Sequence, residues 1–287
     1  MNKLHTSFIV AGIAALSSTS AYAADDKSQY NLFNPTPTNL MRDMSTDRPD
    51  QTESPFTVDA GHFQIEADIV KYTYDRYKAN GENTRTKTWN VAPVNLKAGL
   101  TNSTDLQIVL DNYVNRTDSD KAAGTRETTD GFGDVTLRLK HNLWGNDGGQ
   151  TAFALMPYVK VPTNSNDLEN DDIEGGLIAP LAIDLGNGYG LGLMTQLDIL
   201  KDADDSGYHP AFVNSATFAV EWTEKLGNYY EIFTEKGTDT GDRWAVSFDT
   251  GVTYALTDNI QLDAGINIGL TEAADDYQPF VGTTFRF

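Results

Sequence analysis

The sequence predicts an all-β fold, a membrane-spanning up-and-down antiparallel β-barrel of about twelve strands. Three observations lead there. Apolar and polar residues alternate at period two along most of the chain after Gly61, which gives strands one apolar and one polar face. The connections between these strands alternate long and short, and the polar rows carry charges that the central stretches of the apolar rows almost entirely lack.

The chain opens with Lys3, the apolar run Phe8 to Leu16, and Ala21-Tyr22-Ala23, the three parts of a secretory signal with cleavage expected after Ala23. As a membrane anchor that run is far too short, because a spanning helix needs ~20 residues. The rest of the chain has no other long apolar run, so spanning helices are not expected. With no cysteine, thiolate metal sites, thiol nucleophiles and disulfides are excluded. A net charge of -20 without a basic stripe repels phosphates, which sets nucleic acid aside as a partner. No cofactor is expected. Residues 24–60 lack a sustained period and carry Asn34-Pro35-Thr36-Pro37 and Asp47-Arg48-Pro49-Asp50; they read as an irregular leader or plug, and 61–287 as the barrel.

Strands are expected at 61–74, 87–100, 105–115, 132–144, 151–161, 173–185, 189–200, 211–223, 228–235, 243–256, 259–270 and 276–287. The clearest is 259–270, where Ile260, Leu262, Ala264, Ile266, Ile268 and Leu270 oppose Gln261, Asp263, Gly265, Asn267 and Gly269. The strand at 87–100 is out of phase with itself, which a bulge at Pro93 would reconcile. Pro157, Pro180 and Pro279 should likewise mark bulges or strand ends, since a closed barrel has no edge to host them. Long connections at Asp75–Thr86, Arg116–Gly131, Pro162–Asp172, Lys201–Pro210, Lys236–Asp242 and Thr271–Asp275 alternate with short ones such as Gly186–Gly188 and Thr257–Asp258. All long loops then leave at one end and all tight turns at the other, as in outer-membrane barrels; a Greek-key sandwich has no reason to do this.

The polar rows hold Glu66, Asp68, Lys97, Asp105, Asp111, Arg138, Lys140, Lys160, Glu174, Asp184, Asp198, Glu221, Glu231, Asp249, Asp263 and Arg286. Slipping the register by one would turn these charges to lipid, so the pattern fixes the polar row as lumen-lining. Arg48 of the leader is expected in the lumen too, paired with Glu66 and Asp68. Tyr72, Tyr74, Trp89, Tyr113, Trp144, Tyr189, Trp222, Tyr254 and Tyr277 fit interface girdles of aromatic residues. His62, His141 and His209 are scattered, His209 in a loop, and give no nucleophile–base pair, so an enzyme is not expected. Asp167, Glu169, Asp171, Asp172 and Asp202, Asp204, Asp205 read as solvated acidic loops; the second lacks the twelfth-position Glu of a calcium loop, Val213 standing there.

Several stretches resemble the bacterial outer-membrane family described as "Putative MetA-pathway of phenol degradation": Thr46 to Pro55, Gly61 to Glu66, Gly131 to Val135, Pro157 to Thr163 and Glu174 to Leu181. The resemblance implies an outer-membrane barrel that transports small, aromatic or hydrophobic compounds, with membrane lipid, solutes and the barrel-assembly machinery as partners, and it supplies no catalytic residue. Phe285 and the terminal Phe287 are similar to the terminal aromatic assembly signal of such barrels. A passive pore is the reading that follows, with a non-conducting structural or adhesive barrel as the alternative. Twelve strands give a narrow or partly occluded lumen.

Overall fold

The computed structural model describes residues 26–78, 83–166, 168, 171–202 and 207–287. The expected signal segment and Asp167, Glu169, Asp204 and Asp205 lie outside the described residues. After a single 3-10 turn at Thr38–Leu40 come β1 (Phe63–Tyr77), β2 (Thr84–Val91), β3 (Val94–Thr101), β4 (Thr104–Leu110), β5 (Tyr113–Asp120), β6 (Thr125–Gly131) and β7 (Val135–Trp144). They are followed by β8 (Thr151–Val161), β9 (Glu174–Gly186), β10 (Tyr189–Lys201), β11 (Tyr208–Glu221), β12 (Leu226–Gly237), β13 (Ala245–Thr257), β14 (Ile260–Gly269) and β15 (Tyr277–Arg286).

These segments build a closed antiparallel barrel of 12 staves, because three staves are each broken in two. β2 and β3 part at Ala92-Pro93, β4 and β5 at Asp111-Asn112, and β6 and β7 at 132–134. Each half pairs with the matching half of its neighbour: β1 takes β3 along its first part and β2 along its second. β15 closes the cylinder on β1 from Gln64↔Arg286 to Tyr74↔Tyr277, and Phe63 and Phe287 exchange both backbone hydrogen bonds at 2.9 Å.

The break at Pro93 has the expected cause. Proline cannot donate to a ladder, and the preceding Ala92 turns to φ 52. Irregularity spreads sideways from it: Asn112 Nδ2 donates to Ala92 O at 2.6 Å, Gly133 N donates to Asp111 O at 2.9 Å, and the β1–β15 register shifts between Asp68 and Val70. That shift reverses the facing of β1. Gln64, Glu66 and Asp68 point inward below it and Lys71 and Thr73 above it, so Tyr72 and Tyr74 face out although they share parity with Glu66. Outside the wall Tyr74 stacks on Tyr277 at 5.0 Å and Tyr72 meets Trp89 at 4.5 Å.

The other prolines correct the expectation. The β7–β8 ladder holds one register from Arg138↔Tyr158 to His141↔Leu155 with Pro157 in the gap, and β8–β9 does the same around Pro180. Pro279 falls between Lys71↔Phe280 and Tyr74↔Tyr277. Each proline costs its stave a ladder bond on one side without shifting the register, so no bulge is needed.

Two loops also differ from expectation. Arg116–Gly131 is mostly the β5–β6 hairpin closed by a turn at 121–124, and the β1–β2 connection shrinks to 78–83. β6 is largely exposed and β5 mostly half-buried, with Thr117 and Thr128 hydroxyls 3.0 Å apart across the hairpin. Residues 115–130 are almost all polar on both faces, so there was no apolar alternation to read. His209 lies within β11 rather than in a loop.

The faces are inverted relative to a water-soluble protein: Leu139 is 42% exposed while its neighbour Lys140 is 0% exposed. The outward row needs lipid against it. Ile232→Lys, near mid-height on the lipid face of β12, is expected to destabilise the barrel by about 2–4 kcal/mol. Urea titration of the protein folded into lipid vesicles measures this, with Ile232→Ala as the control for lost volume.

Candidate functional site

The leader enters at the end that carries the tight turns and the termini. Leu32 N donates to Leu100 O at 2.9 Å, Lys27 pairs with Asp147 at 2.8 Å, and Arg42 donates to Asn102 O and Thr57 O at 3.0 and 3.2 Å. Beyond Arg42 the chain passes among the inward-facing side chains. Pro49 and Pro55 keep it irregular, since proline interrupts helix and ladder alike, and its freed amides are taken up by the wall.

Four groups of contacts fasten it around the circumference. The Asp47 carboxylate sits between Lys97 of β3 and Lys140 of β7, while its amide donates to the Glu66 carboxylate at 3.1 Å and Ser54 N donates to Oδ1 at 3.0 Å. Arg48 turns the opposite way: Nε donates to Asp263 Oδ2 at 3.0 Å, and Nη2 donates to Asp263 Oδ1 at 2.7 Å and Asp68 Oδ1 at 2.6 Å. A side chain at Gly282 would collide with that guanidinium, so the wall needs glycine there. Gln51 N donates to Glu231 at 2.9 Å, Gln51 Nε2 to Asp249 at 2.8 Å and the Thr52 hydroxyl to Glu231 at 2.5 Å. Glu53 pairs with Arg138 at 2.6 Å, Asn142 donates to Pro55 O at 2.9 Å, and Val58 N donates to Asp105 at 3.0 Å.

The seated leader separates two spaces. A cavity of about 340 Å³ has Arg48, Asp50 and Glu53 on one side and Asp68, Asp111 and Phe280 on the wall; toward the rim that holds the termini, a space of about 280 Å³ is lined by Arg42, Phe56 and Asp147.

Residues 46–287 match the family model described as "Putative MetA-pathway of phenol degradation". The chain belongs to that family. Among solved structures it is similar to the COG4313 outer membrane channel from Pseudomonas putida F1, at 14% identity and TM-score 0.59 over 85% of this chain and 100% of that one. It is also similar to the translocator domain of autotransporter NalP from Neisseria meningitidis, at 13% identity and TM-score 0.51 over 78% of this chain and 88% of that one. At these identities the likeness is one of fold, an outer-membrane barrel. No curated protein matches the chain.

Within this family member the expected lumen residues fall into several places. Glu66, Lys97 and Lys140 gather around Asp47, and Asp68 and Asp263 around Arg48. Arg48 therefore takes Asp263 in place of the expected Glu66, because Lys97 claims Glu66 from the neighbouring strand. Arg138 and Asp249 hold Glu53 and Gln51. Lys160 pairs with Glu174 at 2.7 Å, and Asp198 accepts from Tyr158 and from Gln196 at 2.8 Å. Asp111 lines the larger cavity. Glu221 lies at the tight-turn rim, where its amide donates to Gly188 O, and Arg286 donates to Arg42 O at 2.7 Å. Phe285 and Phe287 are both exposed on the outer surface. Sequence reasoning missed Asp47, Gln51, Thr52 and Glu53 as partners of the wall, since nothing periodic marks an aperiodic segment. Away from the lumen, Asp202, His209 and Asp239 bring potential ligand atoms within 4.8 Å of one another, and His209 Nδ1 lies 2.9 Å from Asp202 Oδ1.

Electrostatics distinguishes the leader's two acids. Burial opposes the charge on Asp47, but attraction from Lys140 and Lys97 outweighs it and holds the carboxyl well below the usual carboxylate range. At Asp50 burial and the Glu231 carboxylate push the same way, and the group rises well above that range. Asp50 thus holds its proton more tightly when the leader is seated than when it is free. This contribution to seating is fully present below the ordinary carboxylate pKa and is lost as pH rises through the raised one. Protection of the leader from protease should therefore weaken with rising pH, and Asp50→Asn should flatten that dependence. Arg48→Ala leaves Asp68 and Asp263 buried without their cation, at a cost of about 3–5 kcal/mol; protease should then cleave the leader faster while the barrel stays folded by its heat-modifiable gel mobility.

Proposed function

We propose that this protein is a passive outer-membrane pore for small solutes, with residues 42–60 acting as a plug in the closed state and the mature chain starting after Ala23. The observation that carries this reading is the pair of opposed clamps at adjacent leader positions. Asp47 binds the cations of β3 and β7, and Arg48 binds the acids of β1 and β14, so the leader is held across the lumen. No step of this reading involves catalysis. Ions and solutes would pass down their gradients once the leader shifts, and the lumen wall would select among them by charge and size.

The inward rows carry more acid than base, and a lumen of that sign concentrates cations. The polar lining of the larger cavity also favours hydrophilic solutes over the aromatic compounds that the family description suggests, because an apolar ring there would strip water from charged groups without replacing their hydrogen bonds. In planar bilayers the wild-type protein is expected to give small, infrequent conductance steps, and Arg48→Ala larger ones with reversal potentials favouring cations. Anion selectivity would overturn the charge argument. A silent bilayer for both proteins would return the barrel to a structural or adhesive role.

A further inference from the structure

Most charges that line the larger cavity, among them Asp47, Arg48, Glu53, Glu66, Asp68 and Arg138, have an opposite charge within an ion pair. Three that border the larger cavity do not. Lys71 is the first inward residue above the β1 register shift, and Asp111 lies at the break between β4 and β5. They attract one another across the cavity they both line, but no ion pair closes between them. Asp50 lies on the leader side, 7% exposed, with Glu231 and Glu53 as its chief charged neighbours and with an Oδ1 that accepts no hydrogen bond. The neighbouring wall adds neutral polar groups, Asn267 and Gln278, joined by a hydrogen bond of 3.1 Å, and the ring of Phe280.

Such a lining selects its ligand by elimination. An aromatic hydrocarbon would desolvate Lys71 and Asp111 and offer them nothing. A simple anion satisfies Lys71 alone and meets both acids, while a simple monoamine leaves Lys71 and one acid unmatched. What complements one ammonium and two carboxyls is one carboxylate and two cationic groups. A space of about 340 Å³ is at the small end of ligand pockets, which run from roughly 300 to 1,000 Å³.

We propose that this cavity is a binding site for a small zwitterion carrying a second cationic group, the chemistry of a dibasic amino acid, with Lys71 receiving its carboxylate and Asp111 and Asp50 its two cationic groups. The inference rests on the lumen being the solute path, and it gives the pore a substrate class. The site also couples to the plug: with Asp50 on the leader, an occupied cavity holds a contact that the departing leader must break.

Isothermal titration of the purified full chain in detergent micelles, with L-arginine, agmatine, L-glutamate and phenol as separate probes, tests the site. Arginine is expected to bind one per barrel, agmatine about tenfold more weakly for want of the carboxylate, and glutamate and phenol more weakly still. Lys71→Gln should weaken arginine about tenfold while agmatine, relieved of repulsion from the ammonium, binds no more weakly than before, whereas Asp111→Asn should weaken both about tenfold. Heat-modifiable gel mobility confirms that each variant is folded. Phenol binding as tightly as arginine, or arginine binding that neither substitution alters, overturns the assignment. Arginine that fails to bind a protein whose Arg48→Ala variant conducts cations overturns the assignment and leaves the pore reading standing; a silent bilayer overturns the pore reading itself.

Discussion

Hydrocarbon on the outside is the constraint from which the rest of this molecule follows. A strand edge facing lipid has no water to satisfy its amides and carbonyls, so a sheet can span only if it closes. Here closure falls to β1 and β15, and their ladder continues to the last residue, where Phe63 and Phe287 exchange two hydrogen bonds. Once the cylinder is shut, period-two alternation sends every second side chain to lipid and the others to the lumen. The apolar row must face out, and the charges have only the interior left.

That interior then has a charge problem which the staves alone do not solve. Lys97 and Lys140 face inward on β3 and β7, while Asp68, Glu231, Asp249 and Asp263 face inward elsewhere around the ring. Glu66 reaches Lys97 from the next strand, but among the described residues Lys140, Asp68 and Asp263 find their ion-pair partners only in the leader. The leader provides them as adjacent residues of opposite sign: a carboxylate at 47 for the lysines and a guanidinium at 48 for the acids. Where it has no basic residue to offer, beside Glu231 and Asp249, it supplies the Gln51 amides and the Thr52 hydroxyl as donors.

Much of this was legible in the sequence because hydrocarbon writes a strong pattern. The 259–270 stretch shows it best, and β14 occupies Ile260–Gly269 with Leu262 outward and Gln261 and Asp263 inward. The closed barrel, its polar lumen and the break at Pro93 all came from that pattern. Where the lipid stops, so does the signal: β5 and β6 extend a hairpin through residues that look like a loop, since both faces are polar. The β1 register shift is what turns Tyr72 and Tyr74 outward, as expected of girdle residues, although parity counted from Glu66 would have turned them inward. The leader was the hardest part. Arg48 was expected in the lumen, but choosing Asp263 over Glu66 required knowing that Lys97 stands beside Glu66, which depends on how β3 aligns with β1.

The nature of these anchors bears on whether the leader could leave if it acts as the proposed plug. A leader held by a packed apolar core would be released only by unfolding, since burying a large apolar side chain contributes about 1.5–3 kcal/mol each. Here apolar burial of the leader is limited to a few side chains: Met44 and Val58 are buried and Phe56 lies against Ala182 and Ala219, while the larger cluster of Met156, Ile178, Met194 and Val213 belongs to the wall itself. Ion pairs divide differently. Desolvation cancels much of their attraction, so a buried pair specifies position more than it adds stability. Water entering the lumen would hydrate both partners as they part and recover most of what separation costs. The clamps on Asp47 and Arg48 therefore fix where the leader sits while leaving the barrier to its exit moderate, a combination suited to a gate and hard to obtain from a hydrophobic stopper.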